Sequence, residues 1–515
     1  MSEVVNTQAR MTFTTDTGAA IVEAEIAANE STSVADSTSV ADLRLRPLTV
    51  RLKSAYGLGA AVDAFTNTSL TYFFFFYITA VCGLSGTLAG LSTFVALAVD
   101  AVADPAIGLW SDNSVSRFGR RHPFMLVSIF PLTIAFGLLF SIPAALSGWP
   151  LFAVVTGLAL VLRFSLSLFL LPYIALGAEL SDDYIERSTV VAYRSIFATL
   201  ATFACFGLAL AVYMPGQNGL LHRTAYIPFG WTGAALMLAC GLGVTLGTRS
   251  IIARLHKTVP LKGSAVVQFL RELGEIFRNP SFVALFFSVL TFFIAQGTAG
   301  ALTVHAFKYF WTLTPGALQA TFFGLALGPI AGIPMTAWAS RRLEKRTIAI
   351  IGLCVFCTSQ FFMPVAKIAG ILPAGGTPLF AIIVGNAFVL GAMIIALTIA
   401  FQSMLADAAD EHEHLFAARR EGMFFAGLTF SAKAAGGAGA LIAGVALDVI
   451  HFPSNIAAQG AHLHLTGATI RNLGLVYGPL PALITLAGAM FLFRYRLTRG
   501  KHATILADLN ARRNP

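Results

Sequence analysis

The chain alternates between long apolar stretches and short polar connections. Twelve apolar stretches are each about 20 residues or longer, which is enough to cross the hydrocarbon core of a bilayer. They lie near 55–83, 87–111, 123–143, 149–180, 189–214, 226–248, 281–305, 314–340, 346–371, 377–405, 420–450 and 475–497. They lack the apolar–polar alternation of barrel strands, so the pattern predicts an all-α membrane protein with twelve transmembrane helices.

Polar segments divide this pattern into domains. Residues 1–42 are rich in Ser, Thr and Ala and repeat STSVAD at 31–36 and 37–42, which predicts a disordered cytoplasmic tail. The basic segment 249–280 separates six spans from six, so we expect six-helix bundles at 43–248 and 281–497. We also expect segment 249–280 to be a cytoplasmic interdomain loop and residues 498–515 to be a cytoplasmic C-terminal tail.

The two predicted bundles share a short sequence motif at matching positions. Span two contains Asp104-Pro105-Ala-Ile-Gly108 before a basic loop, and span eight contains Gly328-Pro329-Ile-Ala-Gly332 before RRLEKR. A pseudo-symmetric pair of bundles is a common transporter architecture, and it places the binding site at mid-membrane between the halves. An acid occupies this motif only in the first copy.

Composition and charge agree with a membrane protein. Hydrophobic residues make up 56% of the 515 residues and charged residues 11%, and the formal net charge is +9. Lys and Arg cluster in alternate loops, which predicts a multi-pass protein of the cell membrane with both termini in the cytoplasm. This topology accounts for the positive charge, so we expect no nucleic-acid partner.

Asp100 and Asp104 stand one helical turn apart inside span two, on one face of the helix. On insertion scales a carboxylate at this depth costs about 2.5–3.5 kcal/mol, and two nearby acids also repel each other. Such a pair is typical of a site for a proton or another cation. The sequence therefore favours an ion-coupled transporter.

Three further charges lie within the apolar spans. Asp63 in span one and Arg163 in span four occur at similar depth, so they are expected either to form a structural ion pair or to contact a substrate. Arg194, near the cytoplasmic end of span five, is a candidate to hold a substrate through its planar guanidinium. The alternative for Arg194 is a bond to Glu179 or Asp182.

Charges near the cytoplasmic ends of the spans are candidates for a gate between the halves, or else for a solvated rim. The acids should face the arginines, and the set comprises Asp112, Arg117, Arg120, Arg121, Glu179, Asp407, Asp410, Glu413 and Arg420.

The run D-P-x-x-G-x-x-S-D-x-x-x-x-R-x-G-R-R-x-P, from Asp104 to Pro123, resembles the glycoside–pentoside–hexuronide:cation symporter family of the major facilitator superfamily. Further agreements are YGLG at 56–59, Pro172-Tyr173, Ala192-Tyr193-Arg194 and ADAADEHE at 406–413 followed by Lys433. The resemblance covers about 55–497. It implies twelve helices, alternating access and uptake driven by a gradient of Na⁺, Li⁺ or H⁺.

Carried over to this chain, the resemblance assigns cation binding to Asp100, Asp104, Ser167 and Lys433. A structural ion pair of Lys433 with the two acids is the alternative. The same resemblance places Arg194 and Tyr173 at the substrate.

Departures from the family pattern alter these expectations. Ala103 stands where the family's sugar carriers have Asn, which removes an oxygen ligand and favours H⁺ over Na⁺ as the coupling ion. Acids that bind sugar hydroxyls in the family align with Ala64 and Leu170, so the usual galactoside chemistry is largely missing.

The sequence thus predicts H⁺-coupled symport of a sugar, glycoside or related small solute, with Na⁺ as the alternative ion at the site. A carrier of an amphipathic solute such as a lysophospholipid-like molecule, and a non-transporting receptor, are the rival functions. No nucleotide-binding loop, HExxH or G-x-S-x-G motif is present. We therefore expect no enzyme activity, catalytic residue or cofactor, and a monomer whose partners are its solute and the bilayer.

Overall fold

A computed structural model describes residues 47–114, 116, 118–181, 183–254, 274–416, 421–459 and 465–513. Every regular element within these ranges is a helix, as the apolar pattern predicts. The predicted disordered tail at 1–42, and residues 255–273 of the predicted interdomain loop, lie outside the described residues.

Each helix of the first half corresponds to one predicted span. Helix α1 runs from Val50 to Thr68 and continues through π-helical turns at Ser69–Phe74 and Tyr77–Val81. It is followed by α2 (Gly86–Asn113), α3 (His122–Leu139), α4 (Gly148–Ala178), α5 (Tyr184–Gly207, extended by π-helical Leu208–Tyr213) and α6 (Arg223–Gly247).

The second half repeats this plan. It consists of α7 (Pro280–His305, extended by π-helical Ala306–Phe310), α8 (Pro315–Ser340), α9 (Lys345–Ile368), α10 (Gly376–Phe416), α11 (Glu421–Val449), α12 (Gly467–Tyr477) and α13 (Pro479–Leu492). Helices α12 and α13 together form the last span, interrupted at Gly478. A further helix, α14, spans Arg499–Arg513 in the predicted C-terminal tail.

Within the described ranges, eleven of these segments are long and apolar enough to cross a membrane. The first helix, which carries Arg51, Lys53 and Asp63 in its α-helical part, is not among the eleven. It matches the first predicted span, so the total agrees with the twelve expected.

Two predicted boundaries differ from the structure by more than five residues. Helix α10 continues to Phe416, eleven residues beyond the predicted end at 405. Asp407 and Glu411 stand one turn apart on this extension, and Lys345 and Lys501 pair with them at 2.8 Å each. The polar, acidic sequence of this segment is typical of a loop, and the two lysines neutralise the charge of Asp407 and Glu411, so the helix can continue through it. The last span begins at Gly467 because the Thr466 side chain caps the helix.

The halves meet chiefly where α2 packs against α11. Glycines allow the two backbones to approach closely, as is common between membrane helices. A Cβ atom placed on Gly444 would lie 2.0 Å from the carbonyl oxygen of Gly86, and one on Gly90 would lie 2.7 Å from that of Ala440. Side chains at these positions would therefore force the halves apart.

We call the end of the bundle that bears Arg120 and Arg121 the basic end, and the opposite end the far end. At the far end, Asp448 of α11 accepts hydrogen bonds from the backbone N–H groups of Gly86 (2.9 Å) and Thr87 (2.7 Å). Thr79 of α1 and His305 of α7 are also hydrogen-bonded, at 3.0 Å. Side chains thus join the two halves at the far end.

The glycine contact leads to a stability prediction. Gly444→Ala should lower the free energy of unfolding by about 1–3 kcal/mol, because the added methyl group overpacks the contact between α2 and α11. The measurement is the melting temperature in detergent. Gly385→Ala is the matched control, since a Cβ atom there would meet nothing within 4 Å and alanine favours a helix over glycine. Equal melting temperatures for the two variants would contradict the packing argument.

Candidate functional site

Asp100 and Asp104 lie on the face of α2 that meets α11, and Lys433 of α11 reaches both of them. Its Nζ is 2.9 Å from Oδ2 of Asp100 and 2.6 Å from Oδ2 of Asp104. Ser167 of α4 donates a hydrogen bond of 2.5 Å to Oδ1 of Asp100 and accepts one of 3.3 Å from Lys433. The four residues assigned to the cation site thus form one contiguous cluster.

This cluster is buried and electrostatically unbalanced. Asp100 is only 2% exposed. The Oδ1 atom of Asp104 is buried and has no hydrogen-bond partner among the described residues. With both acids ionised, two negative charges face one ammonium, so the cluster carries a net charge of −1. An additional cation would be attracted to it, and the free carboxylate oxygen is available to bind that cation.

The predicted ion pair between Asp63 and Arg163 is wrong in its geometry. Asn67 lies between them: its Nδ2 donates to Oδ1 of Asp63 at 2.7 Å, and its Oδ1 accepts from Nη1 of Arg163 at 3.0 Å. Asp63 and Asn67 are one turn apart on α1, so the neutral amide meets the guanidinium of α4 in place of the carboxylate. The two charges still interact electrostatically, and Arg163 also acts on Asp100 and Asp104.

Arg194 lies on the same side of the site as Asp63. It is close enough to Asp63 and to Tyr56 of α1 for electrostatic interaction. Tyr56 stacks on Tyr173, with ring centroids 4.6 Å apart, and its hydroxyl donates to the Tyr173 carbonyl at 3.4 Å. The bond from Arg194 to Glu179 is not found among the described ion pairs, because Glu179 binds other arginines; Asp182 lies outside the described residues.

A cavity of about 390 Å³ lies between the two halves. Six of its lining residues are aromatic: Tyr72, Phe293, Phe307, Phe322, Phe356 and Tyr477. Its polar lining is neutral and consists of Asn67, Thr68, Thr71, Gln296, Thr303, Thr321 and Gln360. No charged side chain is among the described residues that line it.

The four predicted substrate residues, Asp63, Arg163, Arg194 and Tyr173, do not line this cavity. Sequence reasoning overlooked Asn67, Gln296 and Gln360, which do. An amide within an apolar span is itself a signal, because a polar group in a bilayer needs a partner. Charged residues were weighted above amides, and so the cavity lining was missed.

The candidate gate residues form ion pairs within each half. Arg120 and Arg121 both bind Glu179, the latter at 2.6 Å, and all three belong to the first half. Asp407 pairs with Lys345 at 2.8 Å, and Asp410 contacts His502 of α14 at 3.0 Å.

The expected pairing of Asp407 and Asp410 with arginines is therefore not the observed one, because the extended α10 places these acids beside α9 and α14. Glu413 lies on the same extension, and Asp112 lies in the last turn of α2. Arg117 and Arg420 fall outside the described residues. A gating role for the set remains a prediction.

The sequence was also compared with known proteins. A family model described as MFS/sugar transport protein matches residues 55–499. The isoprimeverose transporter of Lactiplantibacillus pentosus is 25% identical over 76% of this chain and 79% of its own length. Inner membrane symporter YicJ of Escherichia coli is 25% identical over 90% and 95%. Sodium-dependent lysophosphatidylcholine symporter 1 of Gallus gallus is 23% identical over 91% of each.

Solved structures with the same fold include the nucleoside transporter NupG, with a TM-score of 0.56, 14% identity, and coverage of 87% of this chain and 99% of that one. A bacterial homologue of the lysosomal transporter Spinster gives a TM-score of 0.57 at 13% identity, covering 89% and 97%. Both likenesses confirm the transporter-type helical fold, and the sequence relatives confirm the predicted resemblance to glycoside–cation symporters.

The bridge through Asn67 leads to a prediction about its charged partners. Arg163→Gln alone should destabilise the protein by about 1–3 kcal/mol, since it leaves the partly buried Asp63 with one fewer balancing charge. Asp63→Asn combined with Arg163→Gln should restore most of the loss. The measurement is the monodisperse yield after detergent extraction, with Thr71→Val as a control. Losses that simply add in the double variant would show that the two charges are energetically independent.

Proposed function

We propose that this chain, which belongs to the MFS/sugar transport protein family, is a cation-coupled symporter of a small uncharged solute. It works by alternating access between the two six-helix halves. The observation that carries the proposal is the cluster of Lys433 with Asp100 and Asp104. These are the ion pairs that connect the halves within the described part of the chain.

The cluster provides a physical mechanism for coupling. A cation that binds the two carboxylates competes with the Lys433 ammonium for the same oxygens. Its binding therefore weakens an electrostatic link between the halves, and its release strengthens that link. Ion occupancy would thereby change the relative stability of the conformations that open to each side.

We further propose that the basic end faces the cytoplasm, with both termini on that side of the cell membrane. The hydrogen bonds that Asp448 accepts from Gly86 and Thr87, and the one between Thr79 and His305, close the far end. At the basic end, the described ion pairs each join residues of a single half. This arrangement suits a conformation that is closed at the far end, and a monomer contains all of the parts.

A proton is the coupling ion that suits the site best. The described site offers two carboxylates and one hydroxyl, and Ala103 contributes no oxygen. A carboxylate can accept a proton without further ligands, whereas hard metal cations are held by several oxygens.

The cavity lining favours a neutral solute that has both apolar faces and hydroxyl groups. Aromatic rings pack against the faces of a sugar ring, and amides such as Gln296 and Gln360 hydrogen-bond with its hydroxyls. A sugar or glycoside fits this description, and one relative is named for the disaccharide isoprimeverose.

An amphipathic solute such as a lysophospholipid is the second candidate. It is favoured by the six aromatic residues of the cavity, and by similarity to a lysophosphatidylcholine symporter over 91% of the chain. A non-transporting receptor is the third function, and accumulation of a solute against its gradient would exclude it. Uptake of isoprimeverose and of lysophosphatidylcholine by proteoliposomes therefore tests the three functions together.

Neutralising the second acid should uncouple transport. In Asp104→Asn proteoliposomes, gradient-driven accumulation of the transported probe should fall at least about tenfold, because the site loses one of its two carboxylates. Exchange of the solute across the membrane should persist. Asp508→Asn, which changes an exposed acid on α14 away from the site, is the control. Wild-type accumulation in the double variant Asp100→Asn/Asp104→Asn would rule out the assignment.

The coupling ion can be tested by imposing one gradient at a time at a fixed membrane potential. We expect a pH gradient to drive wild-type uptake and an Na⁺ gradient alone to drive little. Ala103→Asn adds a carbonyl oxygen next to Asp104, so it should increase Na⁺-driven uptake. Uptake by the wild-type protein that requires Na⁺ and ignores pH would reverse the choice of ion.

A further inference from the structure

The Asn67 side chain contacts both the cavity and the two charged residues Asp63 and Arg163. It lines the cavity, donates to Asp63 at 2.7 Å and accepts from Arg163 at 3.0 Å. Asp63 and Arg163 are not among the residues that line this cavity. Arg163 lines a smaller cavity that shares Thr71, Gly297 and Gly436 with this one. Asn67 is the residue of the main cavity that is hydrogen-bonded to both charges.

The orientation of the Asn67 amide follows from its partners. An ionised carboxylate only accepts hydrogen bonds and a guanidinium only donates them, so the nitrogen faces Asp63 and the oxygen faces Arg163. Each partner uses one position on the amide. One N–H and one lone pair remain, and a hydroxyl group can satisfy both because it donates and accepts.

Arg163 connects this amide to the cation site. Arg163 stands one turn before Ser167 on α4, and Ser167 donates to Asp100 at 2.5 Å. The Arg163 guanidinium is thus near enough to attract Asp100 and Asp104 as well as Asp63. It therefore competes with Lys433, and with an incoming cation, for the same carboxylates. Whatever weakens the hydrogen bond between Asn67 and Arg163 leaves Arg163 freer to turn towards Asp100.

On the basis of the proposed function, we propose that Asn67 couples the solute to the cation site by sensing a solute hydroxyl. A hydroxyl that donates to the Asn67 oxygen shares this oxygen with Arg163 and so weakens their hydrogen bond, and the loosened guanidinium weakens the hold of Lys433 on the two acids. By linkage, cation binding then changes the affinity for the hydroxyl-bearing solute by the same factor. Asn67 acts as a positioning residue for the charges and as a contact for the solute.

The test needs no solute. In a background where Cys82, Cys205, Cys240, Cys354 and Cys357 are replaced, Gln296→Cys places one thiol in the cavity. Alkylation by a membrane-impermeant maleimide added at the far-end face then reports opening of that side. Asn67→Leu should raise the rate at least about threefold, because freed Arg163 weakens the link between the halves.

The matched control is Thr66→Val, which changes the residue before Asn67 on α1. The Thr66 hydroxyl lies 2.9 Å from the sulfur of Met237 on α6, and Thr66 lines neither the cavity nor the smaller cavity beside Arg163. Its rate should stay near that of the reporter alone. Asn67→Ser, whose side chain is too short to bridge Asp63 and Arg163, gives the same test if the leucine variant fails to fold. A rate in either folded Asn67 variant equal to that of Thr66→Val overturns the proposal.

A second measurement separates this proposal from the function on which it rests. Wild-type proteoliposomes that accumulate neither isoprimeverose nor lysophosphatidylcholine under a pH or an Na⁺ gradient would count against the proposed function. The reporter assay would still decide the role of Asn67. If a probe is transported, Asn67→Leu should lower the amount accumulated per ion translocated, and a change in apparent affinity alone would overturn the coupling role.

Discussion

The interaction of Lys433 with Asp100 and Asp104 combines an electrostatic constraint with a mechanical one. Asp100 is buried and Asp104 and Lys433 are partly buried where helices of different halves meet, so each acid gains from the nearby ammonium. The same contact fixes the distance between α2 and α11 at this depth. Because both constraints act on one cluster, a change in ion occupancy is also a change in the force between the halves.

The arrangement of charges around this cluster separates two tasks. The charged groups lie beside the cavity, and the lining of the cavity itself is neutral. Under the proposed function, an uncharged solute could then enter and leave without displacing a strongly held counter-ion. With both acids ionised, the proposed ion site has a net charge of −1 that would attract a cation. Asn67 is the residue of the main cavity that is hydrogen-bonded to Asp63 and Arg163.

Sequence reasoning predicted the features that follow from the bilayer alone. The length of each apolar stretch predicted the helices. The free-energy cost of placing Asp100 and Asp104 within a membrane span marked these two residues as a candidate ion site. Lys433 was placed there by family resemblance, since it lies 329 residues from Asp104 in the chain.

The rest depended on tertiary partners that a single sequence does not show. Residues 406–416 are polar enough to resemble a loop, and they continue α10 because Lys345, Lys501 and His502 come from other elements to pair with their acids. The predicted contact of Asp63 with Arg163 was wrong, because Asn67, one helical turn further along α1, makes the contact in its place. Position along a span does not reveal which of two neighbouring side chains faces the partner helix.

The glycine contact between α2 and α11 also determines how far each part of the molecule has to move. Helix α2 rises about 1.5 Å per residue, so Gly86 at the far end and Asp104 are about 27 Å apart. The bare backbones touch at Gly86 and Gly90, so the fulcrum about which the halves can rock lies near the far end. Groups are displaced in proportion to their distance from it. Lys433 and Asp104 lie between this fulcrum and the basic end, so a wide opening at the basic end would separate them by a smaller distance.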